Sequence, residues 1–187
     1  MPDVVIIAGP NGAGKSTLAP HLLRDGLGIF EYVNADTIAQ GLSAFAPETA
    51  AIEAGRVMLR RLSELAKERR DFAFETTLAT RFYSNWLKSL QASGYNIHLV
   101  FLWLTSPELA IERVAERVRA GGHHIPEKTV RRRYDRGIAN FFKLYQPFAD
   151  SWEVLDVSGE SPTEVAIGDK IGGSSIINET LWRMIEK

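Results

Sequence analysis

The chain has 187 residues, 45% of them hydrophobic and 24% charged, with a formal net charge of −1. That length suits one domain, 1–187, with a full core, and the near-neutral balance gives no global pull toward nucleic acid or membrane. There is no cysteine, which excludes disulfides, thiolate metal sites and a cysteine nucleophile. No signal peptide precedes the first strand and no apolar run reaches membrane-spanning length, so a cytoplasmic location is expected.

The first predicted element is the buried strand Val4–Ala8. It leads directly into Gly9-Pro10-Asn11-Gly12-Ala13-Gly14-Lys15-Ser16-Thr17, which fits G-x-x-x-x-G-K-[ST] in the strand-to-helix context that this phosphate-binding loop requires. Backbone N–H groups of Gly9, Asn11, Gly12, Ala13 and Gly14 can wrap phosphate oxygens, Lys15 can reach the β- and γ-phosphates, and the Ser16 hydroxyl can ligate Mg²⁺. Thr17 sits in the first helical turn, whose positive dipole end adds to the anion site. ATP and Mg²⁺ are the ligands expected.

A helix follows over Ser16–Arg24, then a short strand over Ile29–Val33 that delivers Asn34-Ala35-Asp36-Thr37. A long helix fits Pro47–Arg70, with Ile52, Leu59, Leu62, Leu65 and Ala66 as its apolar stripe. Phe72–Phe74 reads as a third strand, delivering Glu75-Thr76-Thr77, and Arg81–Ala92 as a helix closed by Gly94. Asn96–Leu104 is the next strand. Ser106-Pro107 opens a helix with Ile111, Val114, Ala115 and Val118 inward, and a further helix carries Val130, Tyr134, Ile138 and Phe141 inward. Trp152–Val157 is the last predicted strand, and Gly172-Gly173 frees an amphipathic tail over Ile176–Ile185. Alternating strands and helices predict an α/β fold of three layers, with a doubly wound, mainly parallel five-stranded sheet. In such sheets ligands bind at the carboxyl ends of the strands, where the loop, Asn34, Asp36, Glu75 and Thr77 converge on one crevice. The four tryptophans are expected in the core or a groove wall.

Between Arg113 and Arg136 the charge is +5, against −1 for the whole chain. Two arginine-bearing helices flank Gly121-Gly122, which predicts a hinged helical lid at about 117–136 that closes over the phosphates. Arg113 and Arg117 lie one turn apart on one face and are read as a phosphate clamp; a solvated helix face accounts for others. The aromatics here lie on the apolar stripe and not among the arginines, which argues against a nucleic-acid surface. Transfer of a phosphoryl group to a hydroxyl also needs a proton acceptor, and Asp36 is the best-placed acid; it could equally cap the helix beginning at Thr37. Glu75 could hold a metal-bound water or a substrate hydroxyl, or pair with a lid arginine. Thr77 could bind substrate or cap the next helix. His123 and His124 are adjacent, lack metal-pair spacing and are assigned no metal.

On the phosphate loop, Asn34-Ala35-Asp36-Thr37, Glu75-Thr76-Thr77 and the segment Pro107–Pro126, the chain resembles the zeta-toxin family of P-loop kinases. The resemblance implies ATP-dependent phosphorylation of UDP-N-acetylglucosamine on a sugar hydroxyl, and an antitoxin protein as partner. It implies Asp36 as catalytic base, Glu75 and Thr77 as substrate contacts, and Arg113 or Arg117 as the clamping arginine; Asn34 and Arg133 are read as further substrate-binding candidates. The chain is shorter than the well-known toxins, and it has His123 and His124 where they carry a second arginine. Arg133 or Arg136 could supply that charge, or the acceptor could differ. A kinase of another metabolite or nucleotide, or a nucleotide-dependent switch, are the competing readings. No guanine-reading N-K-x-D follows a late strand, which argues against a GTPase.

Overall fold

Along β1 (Asp3–Ala8), Val4, Ile6 and Ala8 enter one apolar cluster while Val5 and Ile7 enter another, because successive strand side chains face opposite ways. The computed structural model describes residues 1–122 and 124–186, and this two-sided burial makes its sheet the middle of three layers. After β1 come α1 (Lys15–Ala19), continued by a wider π-helical turn over Pro20–Leu27, then β2 (Tyr32–Val33) and α2 (Ala35–Leu42). α3 (Ala51–Lys67), β3 (Phe72–Thr76), α4 (Phe82–Ala92), β4 (Asn96–Trp103), α5 (Pro107–Arg119) and α6 (Glu127–Asn140) follow. The chain ends with β5 (Ser151–Asp156), β6 (Thr163–Asp169), β7 (Gly173–Ile176) and α7 (Glu179–Ile185).

The strands lie in the order β2-β3-β1-β4-β5-β6-β7, the first five parallel and the last two antiparallel. The α/β class and doubly wound parallel core agree with the sequence, but the sheet has seven strands where five were predicted. β6 buries only Val165 and Ala166, and β7 is the wholly exposed run Gly-Ser-Ser-Ile, so neither carries the alternation that marks a strand. Gly172-Gly173 belongs to their hairpin, while the predicted amphipathic tail contains α7, which packs on the core through Trp182 and Ile185.

Helix faces also differ from prediction in part. A short 3₁₀ turn over Pro47–Ala50 precedes α3, whose buried face is Ala54, Met58, Leu62 and Leu65. Ile52 and Leu59 are exposed, at 77% and 38%, because α3 has two apolar rows and spacing alone does not choose between them. In α5 only Ala110 and Val114 are buried, and Ala115 is exposed. α6 follows its prediction: Val130, Tyr134 and Phe141 are buried and Ile138 is half-buried. Val130 and Tyr134 join one cluster and Phe141 the other. The helical segment therefore passes from one layer to the other. Trp103, Trp152 and Trp182 are buried, and Trp86 packs against the same core.

Beneath the sheet, Asp150 accepts hydrogen bonds from Ile97 N at 2.8 Å, Gln91 Nε2 at 2.6 Å and Lys170 Nζ at 2.8 Å. Burial alone would raise its pKa, but these three donors outweigh burial and hold the carboxyl below the ordinary aspartate range. Asp150→Asn should therefore cost about 1–3 kcal/mol of stability at neutral pH. A depressed carboxyl stabilises above its unfolded pKa and loses that contribution as pH falls through its folded value. The gap in Tm between variant and parent should accordingly close as the pH drops below about 4; a gap that persists unchanged into acid would refute the assignment.

Candidate nucleotide and acceptor site

β1 is central, with β3 on one side and β4 on the other, so the loop leaving it opens at the sheet's topological switch point. Gly9 threads between these neighbours: its N–H donates to Thr76 O at 3.2 Å. A Cβ on Gly9 would stand 2.2 Å from Leu102 O, and its φ of +141° is one that side chains rarely adopt. Lys15 opens α1, folds back and donates to Gly9 O at 3.0 Å and Pro10 O at 2.9 Å. Burial pushes its ammonium below the ordinary lysine range, opposed by the carboxylates of Glu75 and Asp36.

The register that pairs Ile7 with Glu75 brings that carboxylate beside the loop. Glu75 lies 3.7 Å from Lys15 Nζ, and its Oε2 accepts from Ser16 Oγ at 2.7 Å, Tyr32 OH at 2.7 Å and Asn34 Nδ2 at 2.9 Å. Burial, then the Glu75 charge, push the Tyr32 phenol far above the ordinary tyrosine range, so it is held as a donor. Tyr32 escaped the sequence reading, although period two along a strand sets residues 32 and 34 on one face. A hydroxyl and one carboxylate within hydrogen-bond reach are the hard oxygen donors Mg²⁺ takes when it keeps waters and phosphate oxygens as its remaining ligands.

Asn34 caps α2: its Oδ1 accepts from Asp36 N at 2.8 Å and Thr37 N at 3.3 Å. The helix-capping role is therefore that of Asn34 and not Asp36. With Nδ2 bound to Ser16 and Glu75, Asn34 is occupied at both ends. Asp36 is half-buried, and among the described residues no side chain donates to its carboxylate. Its charge acts on both Lys15 and Arg133.

The arginines separate. Arg113 donates to Val157 O at 2.8 Å and Ser158 O at 2.9 Å, tying α5 to the end of β5, so the predicted phosphate clamp is not built from this side chain. Arg117, one turn on, has Nε and Nη2 buried and, among the described residues, without a hydrogen-bond partner, and its charge depresses Lys15. Arg133, on α6, donates to the buried Asn11 at 3.2 Å; burial lowers its pKa against the pull of Asp36. Arg136 is exposed. A buried guanidinium without acceptors is costly, and an anion between Arg117 and Lys15 would relieve it. Arg117→Met should therefore raise the Tm of the ligand-free protein by roughly 2–6 °C while lowering turnover about 100-fold. A lower Tm in calorimetry would show that the guanidinium is not the unsatisfied group it is taken to be.

α6 also fixes the loop after β3. A Cβ on Gly137 would lie 2.6 Å from Thr77 O, Asn140 Nδ2 donates to Leu78 O at 2.6 Å, and Tyr145 OH donates to Thr80 O at 2.7 Å. Thr77 thus meets α6 through its backbone. Between α2, the start of α3 and the chain leading into α6 lies a cavity of about 290 Å³, lined by Asp36, Glu48, His124, Thr129 and Arg133 among others. Glu48 and Thr129 gave no signal in the sequence, because neither belongs to a motif. Glu75 lies on the loop side and does not line this cavity. Among the described residues no cluster of three or more metal-ligating side chains occurs; His123 lies outside them.

A family model described as an AAA domain matches residues 4–143. The chain belongs to the AAA domain family. This AAA domain chain is 31% identical over 130 residues to an uncharacterised protein of Haemophilus influenzae, covering 70% of the present chain and 91% of that relative. Its fold is that of the AvrRxo1-ORF1:-ORF2 complex with ATP, at TM-score 0.76 and 16% identity over 99% of this chain. It is also that of the PezAT toxin–antitoxin system of Streptococcus pneumoniae, at TM-score 0.73 and 16% identity over 98% of this chain. The chain spans 63% of the length of the AvrRxo1 chain and 78% of the PezAT chain. The P-loop fold expected from the sequence is thus shared, and no helix among the described residues is long and apolar enough to cross a membrane.

Proposed function

We propose that this AAA domain protein is a small-molecule kinase that moves the γ-phosphoryl group of ATP to a hydroxyl. One observation carries the reading: Asp36, a carboxylate without a hydrogen-bonded partner among the described residues, lines a cavity that Arg133 links to Asn11 of the phosphate loop. An NTPase that transfers only to water needs no second cavity beside its loop. The loop amides and Lys15 bind the triphosphate, and Ser16 and Glu75 hold Mg²⁺, which when bound neutralises phosphate charge. Asp36 takes the proton as the acceptor oxygen bonds to γ-phosphorus. The bond from γ-phosphorus to the β,γ-bridging oxygen breaks, and its electron pair leaves on ADP. Arg117 and Arg133 face the charge that spreads over the transferring group, and the 117–136 segment acts as the lid that brings them in.

The shared fold of PezAT supports a protein partner of the antitoxin type as a further part of this reading. The kinase reading is tested by following ADP and inorganic phosphate with and without a metabolite extract. A kinase makes more ADP with extract while phosphate stays flat. Equal ADP and phosphate, indifferent to extract, would indicate an ATP-hydrolysing switch instead.

A further inference from the structure

Resting on the kinase reading, we infer that the acceptor is a compact polyhydroxylated metabolite of about monosaccharide size, and neither a nucleotide nor a nucleotide sugar. The cavity beside Asp36 holds about 290 Å³, at the bottom of the roughly 300–1,000 Å³ range of pockets that enclose drug-sized ligands. UDP-N-acetylglucosamine, with a base, two sugars and a diphosphate, belongs well above that bottom.

The walls point the same way. No phenylalanine, tyrosine or tryptophan lines the cavity among the described residues, and its single ring is the exposed imidazole of His124, whereas an unpaired base is ordinarily held by stacking on broad aromatic or guanidinium faces. The one guanidinium present, Arg133, is engaged with Asn11 and turned toward the phosphate loop. Ala39, Ala51 and Ile125 are apolar lining. The polar lining is mixed in kind: Asp36 and Glu48 accept hydrogen bonds, while Arg133 donates and His124 and Thr129 can do either. Adjacent hydroxyls, each both donor and acceptor, satisfy such a mixed set. Asp36 receives the proton of the hydroxyl whose oxygen takes the γ-phosphoryl group, ADP leaves, and the remaining hydroxyls orient the molecule against Glu48 and Thr129.

The test incubates the wild-type protein with Mg²⁺, ATP carrying ¹⁸O on its γ-phosphate, and a low-mass metabolite extract, and reads labelled products by mass spectrometry. The expected product has monosaccharide-range mass after loss of one phosphoryl group and no nucleobase absorbance. A labelled nucleotide or UDP-sugar overturns the acceptor class and leaves the kinase reading standing. Label in inorganic phosphate alone overturns both. Ala51→Phe, at an exposed helix start beside the cavity, should raise the KM of the labelled acceptor at least tenfold with the Kd of ATP unchanged. An unchanged KM would mean that the acceptor binds elsewhere.

Discussion

Replacing Lys15 with methionine should lower kcat/KM about 10³-fold or more, and should remove most ATP binding while the protein stays folded. The ammonium is buried and desolvated in the ligand-free protein, held among the described residues by two carbonyl oxygens of its own loop and by Glu75 at 3.7 Å. Those carbonyl contacts make it a poised cation, because phosphate oxygens are stronger acceptors for it than peptide oxygens. Two charge-assisted contacts in a low-dielectric site are each worth roughly 1.5–3 kcal/mol, which sets the scale of the loss. Methionine keeps the stem's volume, and Glu75 keeps Ser16, Tyr32 and Asn34 as donors, so the fold loses no packing. Calorimetric titration with MgATP gives the answer. A Kd within threefold of the parent would remove Lys15 from the phosphate site.

The second large effect is at the proposed base. Asp36→Asn should lower kcat by about two to four orders of magnitude, with the Kd of ATP changed no more than about threefold. Asparagine has the carboxylate's shape but accepts no proton, and α2 does not depend on residue 36 for its cap, since Asn34 performs that role. Single-turnover transfer to the labelled acceptor measures the chemical step directly. Wild-type transfer in the variant would leave Asp36 as only a pocket wall.

The phosphate loop was legible because its chemistry is local: consecutive backbone amides and two side chains form the site, so spacing alone specifies it. Asp36 and Glu75 were legible as strand-end acids, but their division of labour was not. Glu75 was read toward a metal-bound water, a substrate hydroxyl or a lid arginine, and only the β1–β3 register, a tertiary fact, sets it beside Ser16. Arg113 and Arg117 are equivalent in a helical projection; what separates them is that the carbonyls of Val157 and Ser158 stand beside one and not the other. The acceptor cavity was invisible for a similar reason. It joins Glu48 from an irregular turn to Thr129 and Arg133 on α6, and no periodicity links segments so far apart. The missed β6–β7 hairpin shows the limit of alternation, since an edge strand that buries almost nothing writes no pattern.

That hairpin also sets the smallest unit that can be handled as a protein. The family match ends at residue 143, but Val154, Val165, Ala166 and Trp182 belong to the same apolar cluster as Val4 and Phe74. Trp152 stacks on Trp182 at 5.9 Å, and Gly168 lies so close to the Trp152 ring that a Cβ there would come within 2.5 Å. A fragment cut at the boundary of the family match would expose one whole flank of the sheet at β4 and would strip Trp152 from Phe141. Expression, crystallisation or transplantation of this P-loop domain therefore has to carry the chain through α7.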